Sequence, residues 1–304
     1  MSRLRANFLL LLAGAVWGMG FVAQSTAMGA LGPWTFVAVR FALAALTLLP
    51  FAWFESRRAA RPLPRATLGG FLLIGAALFV AAITQQIGIV TTTVTNSGFL
   101  TGLYVVLTPV LALLFLKHRP HWVVWPAALA AFCGIVLLGG GSLSALGPGD
   151  IWTIVCALFW ALQILFVGVF SGSSNRPYML SFVQFAVTAL LAAIGAVLLE
   201  TPTAAAVAAV WPEIVYGGVF SSGLAFTLQV LGQGHTSAAQ ASIFLSSESL
   251  FAALFGGLVL GERIAPIGFL GCALIFAAML AVELVPLILP KERNRASSPR
   301  RATG

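Results

Sequence analysis

Residues 33–46 read PWTFVAVRFALAAL and residues 177–190 read PYMLSFVQFAVTAL. Laid over each other at an offset of 144, Pro33, Val39, Phe41, Ala42, Ala45 and Leu46 fall on Pro177, Val183, Phe185, Ala186, Ala189 and Leu190. The same offset carries Ala81, Gln85, Gly88, Thr92 and Arg119 onto Ala225, Gln229, Gly232, Thr236 and Arg263. An offset of 143 carries Trp17 onto Trp160, so one residue of slippage separates the first two helices of the halves. Leu and Ala coincide easily in apolar sequence, whereas Pro, Gln, Gly, Arg and Trp do so rarely. The pattern is that of an internal repeat.

Each repeat is far too apolar for water. The 304 residues are 60% hydrophobic and 8% charged, with a mean hydropathy of +1.02. A soluble domain carries about a quarter charged residues, so a soluble enzyme, a nucleic-acid binder and a disordered chain are excluded. About 20 apolar residues make a membrane-spanning helix. Gly, Pro and charge punctuation predicts ten: Asn7–Gly29, Pro33–Phe54, Thr67–Ile87, Val94–Leu116, Trp122–Gly141, Asp150–Ser171, Pro177–Leu199, Val210–Gln233, Ala238–Leu260 and Ile264–Leu287. Five helices per repeat is an odd number, so the second repeat sits in the bilayer upside down, a recurring design of secondary transporters. The expected fold is an all-α integral membrane protein of two inverted five-helix repeats. Residues 1–141 form the first repeat, 142–149 a connecting loop, 150–287 the second repeat, and 288–304 a disordered cytoplasmic tail.

Charge sets the orientation. With the N-terminus in the cytoplasm, fourteen of the sixteen Lys and Arg fall in inside segments; Arg263 falls outside and Arg40 lies within helix 2. That asymmetry predicts both termini inside. The +8 net charge is therefore a membrane-topology signal, and no nucleic-acid partner is expected. Trp34, Trp53, Trp122, Trp125, Trp152 and Trp211 fall at helix ends, where indoles sit among headgroups. Cys133, Cys156 and Cys272 lie in apolar segments and read as small core residues.

Several short motifs, in order and spacing, carry a resemblance over about residues 8–286. In the first half they are Ala15-Val16-Trp17-Gly18, Val39-Arg40-Phe41, and Ser97-Gly98-Phe99-Leu100-Thr101-Gly102-Leu103-Tyr104 running to Thr108-Pro109. In the second half they are Ser247-Glu248-Ser249-Leu250-Phe251-Ala252-Ala253-Leu254 and Leu260-Gly261-Glu262-Arg263. The chain resembles the drug/metabolite transporter superfamily of the EamA type. The resemblance implies ten helices, inverted repeats and transport of small metabolites, with bacterial amino-acid exporters among the better-known members. It departs from the family at Ser249, where Pro is common after the acid, and at Lys117-His118-Arg119, which stands where the second half has Gly261-Glu262-Arg263.

Trp17 and Trp160 fall near the middle of repeat-related helices, where they would line a central cavity or pack between helices. Glu248 is the acid deepest in an apolar helix, a costly placement that marks a site. It would bind a substrate ammonium or cycle a proton; the alternative is a structural carboxyl bonded to helix 4, Ser246 or Ser249. Arg40 reads as a structural charge, bonding carbonyls or snorkelling to a headgroup, with recognition of a substrate carboxylate as the alternative. Gln85, Gln86, Thr95 and Asn96 predict a polar mouth at the outer ends of helices 3 and 4, and Gln229, His235 and Gln240 one at the inner ends of helices 8 and 9. Of these, His235 and Gln86 read as helix-end residues. Gln24, Gln163, Tyr104, Phe79 and Ser246 complete the candidate substrate-binding set. Gly14/Gly18, Gly98/Gly102 and Gly257/Gly261 are GxxxG spacings that predict close helix packing.

The chain lacks HExxH, Walker A and CxxC motifs, so neither cofactor nor metal is expected. The leading reading is a secondary transporter of the bacterial inner membrane, working by alternating access. It would export amino acids, aromatic ones included, and a monomer would suffice. A multidrug or nucleotide-sugar carrier is the second reading, although polyphosphate cargo should demand more intramembrane Lys or Arg than Arg40. An intramembrane enzyme would need a catalytic partner for Glu248. The scarcity of charge favours a zwitterionic or apolar cargo.

Overall fold

The structure is a computed structural model that describes residues 1–117, 120–138, 147–263 and 265–289. Ten apolar helices account for the architecture: α1 Arg3–Ala27, α2 Pro33–Arg58, α3 Arg65–Ile89, α4 Asn96–Leu116, α5 Val124–Leu138, α6 Pro148–Ser174, α7 Pro177–Leu199, α8 Trp211–Gln233, α9 Ala238–Leu260 and α10 Pro266–Ile288. Among the described residues nine are long and apolar enough to cross a membrane, and α5 is shorter. The expected end of α5 at Gly141, start of α10 at Ile264, most of the inter-repeat loop and of the tail, and the His118-Arg119 pair lie outside the described residues. Elsewhere the bounds differ by a few residues: α1 begins at Arg3 but stops at Ala27, α2 continues to Arg58 and α6 to Ser174, and α5 and α8 begin at Val124 and Trp211.

Local chemistry sets many of the boundaries. Pro33, Pro148, Pro177 and Pro266 open their helices, where the missing N–H costs nothing. Side chains of Ser2, Thr93 and Ser237 accept from backbone amides in the first turns of α1, α4 and α9. Lys117, Asn175 and Gly261 end α4, α6 and α9 in the left-handed conformation.

Consecutive helices alternate in direction, so each helix of the second repeat runs against its counterpart in the first. Arg57, Arg58, Arg61, Arg65 and Arg176 gather at one end of the bundle, here the basic end; Gly32, Asp150 and Glu200 mark the far end. The packing obeys the repeat: α3 lies on α6 as α8 lies on α1, and α4 on α6 as α9 on α1, while α2 with α7 and α5 with α10 form self-paired seams. Glycines record the symmetry atom by atom. A Cβ on Gly88 would press on Gly149 and Thr153, and one on Gly232 on Ala6 and Leu10; Ala6 and Leu10 are the repeat equivalents of Gly149 and Thr153 at offset 143.

The outer surface carries large exposed apolar side chains, such as Leu46, Leu190, Val197, Leu258 and Phe269, far more than water tolerates. Five of the six end-of-helix tryptophans are exposed as expected; Trp34 is not one of them. Gly195 of α7 opens a slot for its indole, which also lies 6.0 Å from Phe79. Close packing holds for Gly14 and Gly18, where an added Cβ would strike Ser247 and Phe251 of α9, and for Gly102 against Ile135. Gly257 and Gly261 are different, because Gly261 meets no neighbour and serves as a cap with φ +71°. Cys133 faces outward rather than into the core.

Candidate functional site

Three local irregularities shape the middle of the bundle. Helix α4 is kinked at Gly102-Leu103, where tightened bonds (Leu103 N to Leu100 O, Val105 N to Gly102 O) interrupt the regular ladder. Helix α9 is kinked at Ser246, with Ser249 N bonded to Ser246 O. Gly102 and Ser246 are equivalent at the repeat offset of 144, and so are Tyr104 and Glu248, which follow the kinks. Interrupted helices near the midplane are where transporters of this architecture place their sites. The third irregularity has no counterpart in the first repeat: Tyr216–Leu224 of α8 is a π-helix, a form that recurs at functional positions. It brings the Ser221 carbonyl to Trp17, whose Nε1 donates to it at 2.8 Å, and the Ser222 hydroxyl to Arg40, whose Nε donates to it at 2.8 Å. Gly217 and Gly218 let α2 approach this segment closely enough for Arg40 and Leu43 to pack on its backbone.

Between the repeats these elements enclose a cavity of about 20 Å³, room for about one water. Trp17 and Gln24 of α1, Gln85 of α3, Tyr104 of α4, Trp160 of α6 and Glu248 of α9 line it. Six of the candidate residues therefore converge. Arg40 joins them: it is 2% exposed and bonds Ser222 of the π-helix, so it turns into the protein rather than snorkelling to a headgroup. Its entry also adds α2 to the helices facing the cavity. Phe21, Ile164, Ser221 and Phe226 complete the wall. The aromatic part is a packed group, with Phe226 stacked on Trp160 at 5.4 Å between centroids, 4.7 Å from Trp17, and the two indoles 6.0 Å apart.

Polar atoms around this space lack partners. Glu248 is 5% exposed, and its Oε1 is buried without a well-formed hydrogen bond among the described residues, the Tyr104 hydroxyl standing beside the carboxyl; Gln24 Oε1 and Trp160 Nε1 are likewise left open. Of the expected structural partners of Glu248, helix α4 supplies one, the Tyr104 hydroxyl, while Ser246 donates to Ile243 O and Ser249 to Gly98 O. Buried groups left open in this way cost stability unless something else satisfies them.

Gln163, Gln229, Asn96, Phe79 and Ser246 lie apart from the cavity wall. Gln163 and Gln229 are fully buried and bond each other, with Gln184 accepting from Gln163 at 3.1 Å. Gln85 bonds Thr101 at 3.1 Å within the centre. Gln85, Gln163 and Gln229 thus make buried contacts, whereas Asn96 and Gln240 stand in polar clusters at the two ends of the bundle. Asn96 bonds Asp150 and Thr92 at the far end. Phe79 packs on Trp34, and Ser246 serves the α9 kink. Phe21, Phe226 and Ile164 gave no signal in an apolar sequence; Ser221-Ser222 behind Gly217-Gly218 was the one visible cue to the π-helix. Among the described residues no cluster of His, Cys, Asp and Glu could hold a metal.

Comparison with known proteins places this architecture. Residues 4–140 and 147–284 each match the EamA-like transporter family. A protein of Archaeoglobus fulgidus named as an uncharacterized transporter is 33% identical over 286 residues, covering 93% of this chain and 87% of its own length. A solved structure titled only as the crystal structure of a protein superimposes with a TM-score of 0.76 at 18% identity, over 95% of this chain and 100% of that one. That last likeness concerns the fold alone.

Proposed function

The chain belongs to the EamA-like transporter family, and on that premise we propose that it is a secondary transporter that exports small zwitterionic metabolites, amino acids with apolar or aromatic side chains foremost. One observation carries this reading. Arg40 and Glu248, a guanidinium and a carboxyl, line the same small cavity, and its remaining wall is largely aromatic. A zwitterion complements that wall: its ammonium supplies donors for Glu248 Oε1 and Gln24 Oε1, and its carboxylate supplies acceptors for Arg40 and Trp160 Nε1. Its side chain would lie against Trp17, Trp160 and Phe226. The cavity holds about one water as it stands, so cargo enters only as the repeats part, which is the work of alternating access. Distribution of Lys and Arg supports a cytoplasmic basic end and an inner-membrane location. All ten helices and the whole cavity belong to one chain, so a monomer is sufficient for this activity.

The test is uptake by proteoliposomes of labelled aliphatic and aromatic amino acids, with and without a pH gradient. Saturable transport of the zwitterions is expected, falling at least about tenfold in Glu248→Gln, the loss that follows from removing some 1.4 kcal/mol of recognition. If every amino acid fails while a cationic drug or nucleotide sugar is carried, the substrate class is wrong.

A further inference from the structure

Polar clusters built at repeat-equivalent positions hold the two ends of the molecule. At the far end the Asp150 carboxylate, in the first turn of α6, accepts from Asn96 Nδ2 at 2.7 Å and from Thr92 Oγ1 at 2.8 Å, where α4 begins. At the basic end Glu283 of α10 accepts from Asn7 Nδ2 of α1 at 2.5 Å and from Gln240 Nε2 of α9 at 3.1 Å. Arg3 adds a bond to Gln240 Oε1 at 2.8 Å and an ion pair with Glu283 at 3.4 Å. The offset of 143 that carries Trp17 onto Trp160 also carries Asn7 onto Asp150, and the offset of 144 that carries Gln85 onto Gln229 carries Asn96 onto Gln240. Each cluster therefore ties the start of a kinked helix, α4 or α9, to the start of the other repeat's central-tryptophan helix, α6 or α1.

Those four helices supply Trp17, Tyr104, Trp160 and Glu248 to the cavity. At the far end the starts of α4 and α6 are joined by the Asp150 cluster, and at the basic end the starts of α9 and α1 by the Glu283 cluster. In this structure both contacts are made and the cavity between them is collapsed. We propose that the Asp150–Asn96–Thr92 and Glu283–Asn7–Gln240 clusters are the two access latches of the transport cycle, and that they part in alternation, one holding while the other opens. This rests on the reading of the central cavity as a transport site, but not on the identity of the cargo. The bonds are between side chains, so they can be broken and remade without unwinding a helix, and each latch lies on the opposite side of the cavity from the other.

The test uses the full chain with Cys133, Cys156 and Cys272 replaced by Ala and a single reporter, Ser221→Cys, in the cavity. Membrane vesicles of each orientation are treated with a membrane-impermeant maleimide. Asp150→Ala should raise the labelling rate about fivefold or more from the far-end side and lower it from the basic-end side; Glu283→Ala should do the reverse. Equal changes from both sides, or none, overturn the proposal. Paired cysteines guard against misfolded single variants. Oxidised Asn96→Cys/Asp150→Cys should block labelling from the far end alone, oxidised Asn7→Cys/Glu283→Cys from the basic end alone, and reductant should restore both. Labelling that persists through the cross-linked end also overturns it. No cargo enters these measurements, so a failure of the amino-acid reading leaves their outcome intact.

Discussion

At the scale of single residues, the central cavity is defined by what its side chains lack. Trp17 is satisfied by Ser221 O, whereas Trp160, its repeat partner, has no well-formed hydrogen bond from Nε1 among the described residues. The pair is therefore symmetric in position and unequal in chemistry. Replacing both with Leu should lower transport by about tenfold, since aromatic contacts are worth up to about 1.5 kcal/mol beyond burial, while the purified protein keeps its melting temperature within a few degrees. Loss of folding would mean that the rings serve packing. Glycine positions make an independent prediction. Gly18→Val drives a side chain into the Phe251 and Ala252 backbone and should destabilise by about 1–3 kcal/mol, whereas Gly69→Ala on α3, with open space around it, should be neutral or slightly stabilising. Thermal unfolding in detergent distinguishes the two. Much at this scale was legible in sequence: a lone deep acid and two mid-helix indoles are expensive enough to stand out. Arg40 was legible as a structural charge but its partner was not, because the π-helix that presents Ser222 to it leaves little trace in composition.

At the scale of helices, α2 and α7 show how the repeat is stitched. The Glu200 carboxylate, just past the end of α7, accepts from Trp34 N at 3.0 Å and Thr35 N at 2.8 Å at the start of α2, and from the Thr35 hydroxyl. Glu55, near the end of α2, accepts from Tyr178 N at 3.2 Å and Met179 N at 2.8 Å at the start of α7. Each helix thus places an acid at the positive end of the other's dipole and satisfies amides that its own turns leave open. Glu200→Ala should cost about 1–2 kcal/mol, the scale of a lost cap with its charge. Hydrogen exchange at the Trp34 and Thr35 amides should accelerate while Tyr178 and Met179 stay protected, and Glu55→Ala should reverse that pattern. The existence and bounds of these helices were legible in their Pro starts and apolar runs. Sequence could not reveal the exchange of caps, because a carboxylate at a helix end looks solvated until another chain segment is laid beside it.

At the scale of the molecule, most contacts run between the repeats rather than within them: α2 with α7, α5 with α10, α3 and α4 with α6, and α1 with α8 and α9. Neither half has a separate interior to fold around. Residues 1–146 and 147–304 expressed as two chains should therefore assemble when produced together, recoverable as one complex on a tag carried by either, and each alone should be degraded. Recovery of a stable single half would show that the shared interior is dispensable. The overall plan was legible from the 144-residue offset, since an odd number of helices per repeat forces inversion; the collapsed centre was not, because cavity volume depends on side-chain packing that periodicity does not encode. The exchanged acids of α2 and α7 have a mechanical consequence. Two rods lashed at both ends resist sliding, because a shift of one helical turn, about 5.4 Å, would tear the lashings at both ends together. Rolling about the shared seam strains them far less. The seam is therefore an axle: it lets the halves tilt and forbids them to slip.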